Sequence, residues 1–178
     1  MARSGRRLSV LLDNGGSTAM NVNGSVSPVT FTLDPGAQVA YRIYALVLTI
    51  HSTGMDLGTP ADFQNFGAVG AALTNGIRIF TTRGNPAVNV ELFPTPVKRL
   101  SDFYRYTTWP DSGSQISGQT DGVSAGTDVV RITLSWPVID PLELRSRSSD
   151  KLTVRIADNL TSLALFEAHA IGTQLSVI

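Results

Sequence analysis

Apolar and polar side chains alternate residue by residue in Val29-Thr30-Phe31-Thr32-Leu33 and in Lys151-Leu152-Thr153-Val154-Arg155-Ile156-Ala157. A period of two places every second side chain on one face of an extended chain, and a helix cannot bury such a pattern. Val129 to Trp136 (VVRITLSW) repeats it and stops at Pro137, and Ile77 to Thr82 (IRIFTT) comes directly after the strong turn dipeptide Asn75-Gly76. Val39 to Ile50 (VAYRIYALVLTI) is almost wholly apolar, and its β-branched and aromatic content favours a central strand covered on both faces over a helix. Val88 to Phe93 reads as a further strand, and Pro94 and Pro96 confine the chain beyond it to an edge or an irregular stretch. Asp34-Pro35-Gly36 is a turn.

Lys151–Ala157 and Leu163–Ile171 are joined by the short polar segment Asp158 to Ser162, so a β-hairpin is the natural expectation. Residues 60–67 are expected to hold one short helical turn closed by Gly67. No convincing amphipathic helix and no internal repeat is present. The predicted fold is therefore all-β, an antiparallel β-sandwich of jelly-roll-like type. Residues 28–178 form the sandwich and 1–27 an extended N-terminal arm outside its core, because Arg3, Arg6, Arg7 and the Asn/Gly-rich stretches after them build no core.

Composition excludes several functions. The 178 residues contain no cysteine, which removes disulfide scaffolds, thiolate metal sites and cysteine nucleophiles. Fourteen basic residues balance fourteen acidic ones, so no global field draws the chain to nucleic acid. No run approaches the roughly 18 apolar residues of a membrane helix. Leu8 to Leu12 is too short for a signal-peptide core, so the expected location is a cytoplasm.

The search for chemistry returns little. Glu167 and His169 share a strand face, but a metal needs three or more convergent ligands and the sequence offers no third; His51 stands apart beyond a strand end. Asp140, Glu143, Asp150 and Asp158 fall at turns, where aspartates bond their own backbone. No G-x-S-x-G elbow exists, and the glycines at 113, 118, 122 and 126 form no phosphate loop. We therefore expect no enzyme, no cofactor and no metal. The candidate partner-binding residues are Arg3, Arg6 and Arg7, together with Phe103, Tyr104, Arg105, Tyr106 and Trp109, since aromatics with arginine suit buried interface centres. Residues 111–126, rich in Gly and Ser, are expected to form an exposed loop.

Three segments, Phe66-Gly67 with Ala72-Leu73-Thr74-Asn75-Gly76-Ile77, Ser101-Asp102-Phe103, and Lys151 through Leu163, resemble small virion proteins of tailed bacteriophages, in which an "ALTNG" turn and a late "DDL-x-x-L" element recur. Asn159 stands here where the second aspartate is expected, and Glu167 and His169 replace a more basic pattern. The resemblance implies a β-sandwich structural protein of the virion, assembled in the bacterial host cytoplasm. Its partners would be copies of itself and either major capsid protein, as a decoration or cement protein, or neck and tail proteins, as a connector or completion protein. A carbohydrate-binding β-sandwich using Tyr104, Tyr106 and Trp109 is the alternative from another class.

Overall fold

The computed structural model describes residues 5–12, 22–23, 25, 27–52, 72–84, 86–102, 113–119, 129–146, 150–160 and 163–176. The elements described are all strands. They are β1 (Arg6–Leu11), β2 (Val22–Asn23), β3 (Val29–Leu33), β4 (Val39–Ser52), β5 (Ile77–Arg83), β6 (Val88–Glu91), β7 (Gly113–Gln119), β8 (Val129–Ser135), β9 (Leu142–Arg145), β10 (Lys151–Ile156), β11 (Asn159–Leu160) and β12 (Leu163–Ser176). Every pairing is antiparallel. One sheet runs β1-β12-β4-β8-β7, with β9 also paired to β4; a second runs β3-β10-β5-β6; β2 and β11 form a short ribbon. The all-β expectation holds, and each strand foreseen from alternation is present.

The two large sheets share one buried cluster. Phe31 and Leu33 of β3, Ile77 and Ile79 of β5 and Leu152, Val154 and Ile156 of β10 meet Leu46, Leu48 and Ile50 of β4, Ile132 of β8 and Phe166 of β12. The Phe31 and Phe166 rings touch across the two sheets at 5.4 Å between centroids. These are the residues on the apolar face of each alternating run, so the period of two and the core are one fact.

The long apolar strand β4 is not regular. Ile171 pairs with Ala45 but Gly172 pairs with Ile43, leaving Tyr44 as an extra, bulged residue. The bulge changes parity along β4, from Leu46, Leu48 and Ile50 to Ile43 as the buried positions. A one-residue step is thus hidden inside what reads as continuous hydrophobicity. The carbonyl freed at Tyr44 accepts a bond from the Trp136 N–H at 2.8 Å.

Three expectations are corrected. The segment read as an arm outside the core does not lie outside it at residues 6–12. Arg6–Leu11 pairs along β12 from Gln174 to His169, Leu12 N donates to Ala168 O at 2.8 Å, and Leu8 and Leu12 are buried. Leu8, Val10 and Leu12 carry a period of two of their own, which the neighbouring arginines conceal. The segment read as an exposed loop contains β7, which pairs with β8 from Gly113 opposite Ser135 to Gln119 opposite Val129. Backbone ladders need no apolar alternation, and a Gly/Ser-rich strand is tolerated at the end of the sheet order. Finally, β10 and β12 do not form a hairpin. β10 lies between β3 and β5 in one sheet, and β12 between β1 and β4 in the other.

Residues 157–160 make that crossing through Asp158. Its buried carboxylate accepts bonds from the N–H groups of Thr74 (2.8 Å), Asn75 (3.1 Å) and Gly76 (2.7 Å). Asn75 Nδ2 in turn donates to Ala157 O at 2.7 Å. Three successive N–H groups pointing inward form an anion cradle, and here the chain fills it with its own aspartate. Gly76 has φ of +83°, and a Cβ there would lie 2.9 Å from both Pro96 and the Val97 carbonyl, so only glycine completes the cradle. The fold therefore brings together the Thr74-Asn75-Gly76 turn and the Asp158-Asn159-Leu160 segment, which lie far apart in the sequence.

Candidate interaction surface

β8 and β9 both pair with β4, one against Ala45–His51 and the other against Ala40–Ile43, and so lie end to end along it. The chain between them, Trp136 to Pro141, bends outward with Val138 and Ile139 at its tip. In the other sheet, β6 stands at the end of the strand order. Between the bend and β6 opens a cleft of about 630 Å³, lined by Arg83, Val90 and Phe93 from one sheet and Arg42, Trp136 and Asp140 from the other, among others.

Beside six charged side chains the lining of the cleft carries the exposed apolar Val90, Val138 and Ile139, and Val88 lies two residues from Val90 on β6. Ile139 is 96% exposed, Val138 76%, Val88 58% and Val90 48%. Scattered exposed hydrophobics need no explanation, but contiguous ones mark interaction sites. Among the described residues the remaining large exposed hydrophobic is Leu11, on β1.

The charges of the cleft divide into two sets. Arg42 and Glu143 face each other across β4 and β9, with Nε donating to Oε1 at 3.0 Å, and Arg145 Nη2 donates to Glu143 Oε2 at 2.7 Å. Arg145 and then Arg42 hold the Glu143 carboxyl below its ordinary range. The Gly36 N–H, and after it Lys151, do the same for Asp34. Arg83 and Asp140, by contrast, line the cleft without an ion pair among the described residues.

A depressed folded-state pKa contributes stability that is full above the ordinary carboxylate range and is lost as pH falls through the folded value. Glu143→Gln is therefore expected to lower the urea midpoint at neutral pH by the equivalent of less than about 1 kcal/mol, since both arginines are exposed. The gap from wild type should close as pH is taken from about 6 to about 3. A gap independent of pH would remove the ion pairs from the explanation.

The other sequence candidates are dispersed. Arg6 and Arg7 are exposed on β1, whereas Arg3 and Phe103, Tyr104, Arg105, Tyr106 and Trp109 lie outside the described residues. His51 belongs to β4 and His169 to β12, where His169 Nε2 and Ser9 Oγ are 2.9 Å apart. Among the described residues no three His, Asp or Glu side chains converge as a metal site would require. Asp150 is buried and its Oδ2 accepts from Arg145 N at 3.1 Å, and Asp158 fills the Thr74–Gly76 cradle, so both turn aspartates serve backbone. The sequence reading missed that Val90 and the bend line one cleft. The signal was the apolar pair Val138-Ile139 between Pro137 and Asp140-Pro141, where turn chemistry gives no reason for apolar side chains.

Fold and surface together define an all-β protein of two large antiparallel sheets with an open cleft between the β8–β9 bend and β6. Comparison with protein-family models, curated proteins and solved structures finds no match to the chain.

Proposed function

We propose that the chain is a non-enzymatic structural protein of a bacteriophage virion, a jelly-roll-like β-sandwich that decorates and cements the capsid as a homo-oligomer bound to major capsid protein. The observation that carries this reading is the exposure of Val90, Val138 and Ile139 in the lining of one cleft, with Val88 two residues from Val90 on the end strand β6. Water-exposed apolar groups gathered in one place gain free energy by being covered, and covering surfaces is the work of a cement protein. Repeated copies on a symmetric shell multiply a modest contact by avidity. The sequence resemblance to tailed-phage virion proteins supplies the particle, and its "ALTNG" and "D-N-L" elements are the two parts of the Asp158 cradle.

Quantitative mass spectrometry of purified particles tests the reading. A copy number close to that of major capsid protein is expected, together with shells that break at lower temperature when the chain is withheld. Presence at only a ring's worth of copies moves the protein to the neck or tail. Absence from particles, or a saturable shift on a glycan array, overturns the virion assignment.

A further inference from the structure

The cleft face has features that select its occupant. Its two charges without an ion pair among the described residues are of opposite sign and sit on opposite walls, Arg83 at the end of β5 and Asp140 on the bend. The apolar side chains are divided in the same way, Val88 and Val90 on β6 against Val138 and Ile139 on the bend. A surface carrying both halves of each complementary pair matches itself under a two-fold rotation, as an isologous interface requires.

The backbone of β6 agrees. Leu92 N donates to Ile79 O at 2.8 Å, and Leu92 lies in register with Ile79, one step beyond the Glu91–Phe80 pair. Antiparallel pairs alternate between bonded and non-bonded, so Val90 and Val88 turn their N–H and C=O groups toward β5, while Asn89 and Glu91 turn theirs outward. No strand lies beyond β6 among the described residues. The strand carries no proline, lysine or bulge, and its one charge, Glu91, is paired with Arg78 of β5.

We infer that this face is a self-association surface, on which β6 pairs antiparallel with β6 of a second copy of the chain. Arg83 of each copy meets Asp140 of the other, and the valines of each β6 are covered by Val138 and Ile139 of its partner. The inference rests on the homo-oligomeric reading and names the surface that reading needs.

The test is analytical ultracentrifugation of the full chain over a concentration series, with thermal melts to show that each variant stays folded. Wild type is expected to dimerise. Ile139→Asp, Arg83→Glu and Asp140→Arg should each weaken the dimer by about tenfold or more, with unchanged melting because these side chains are exposed. The Arg83→Glu/Asp140→Arg double exchange should restore most of the affinity. The chain has no cysteine, so Val90→Cys reports the contact directly by forming a disulfide-linked dimer under mild oxidation. Ala37→Cys, in the exposed turn before β4, serves as the control. If wild type associates while the variants associate equally well and Val90→Cys links no faster than Ala37→Cys, the surface is wrong and the oligomeric reading stands. A wild-type chain that is monomeric at its highest soluble concentration overturns both.

Discussion

Asp158→Ala is expected to destabilise the protein by about 2–6 kcal/mol, which for a chain of this length lowers Tm by roughly 4–24 °C. The carboxylate serves three N–H donors, and they are not equally served by water in its absence. Thr74 and Asn75 are exposed, so their donors recover solvent at a cost of about 0.5–1.5 kcal/mol each. Gly76 is buried, and an orphaned N–H there costs the full desolvation of the group, about 1–3 kcal/mol. Asp158→Asn should recover little, because its amide offers one acceptor oxygen and turns an NH2 group toward donors. Urea denaturation checks both: the midpoint should fall with the slope unchanged. A loss under about 0.5 kcal/mol, the range of an ordinary surface change, would mean that the cradle does not hold the crossing.

The second large effect is expected at Gly172. A Cβ there would stand 2.0 Å from the Arg42 carbonyl oxygen and 2.9 Å from both the Arg42 carbonyl carbon and the Ile43 Cα. These are backbone atoms of the bulged part of β4, and they have little room to yield. Arg42 and Ile43 are paired with Glu143 and Leu142 of β9, and the Tyr44 carbonyl is held by Trp136. Gly172→Ala should therefore cost about 3 kcal/mol or more, at the top of the range for overpacking. Gly5→Ala is the internal control. Its Cβ would meet Thr173 Cγ2 at 2.4 Å, but that atom ends a side chain that can rotate away, so a change within about 0.5 kcal/mol is expected. Equal melting temperatures for the two variants would show that the bulge can shift.

Alternation identified the strands but not their partners. The runs at 29–33, 77–82, 129–136 and 151–157 have one wet and one dry face, and that contrast is written in single residues. Whether Lys151–Ile156 pairs with the next strand or leaves for another sheet depends on Asp158 reaching N–H groups more than eighty residues away. The peptide itself carries no mark of that reach beyond a turn-forming Asp-Asn. β7 was illegible for a different reason: an edge strand is held by its backbone, and Gly-Ser-Gln-Ile-Ser-Gly-Gln gives no pattern to read. At the cleft, Val138 and Ile139 stood out as apolar residues in a turn, yet only the sheet order brings β6 beside them.

The position of β12 governs when the fold can exist at all during synthesis. It lies between β1 and β4, the earliest strand and one of the two longest, so the larger sheet cannot close until residue 176 has cleared the ribosomal exit tunnel. Until then β4 presents one unpaired fourteen-residue edge, the kind of segment that seeks strands in other chains. A cell making the protein in quantity must shelter β4 for the whole interval between its emergence and that of β12, so yield should depend on holdase chaperones acting on translating polysomes more than on the stability of the finished domain.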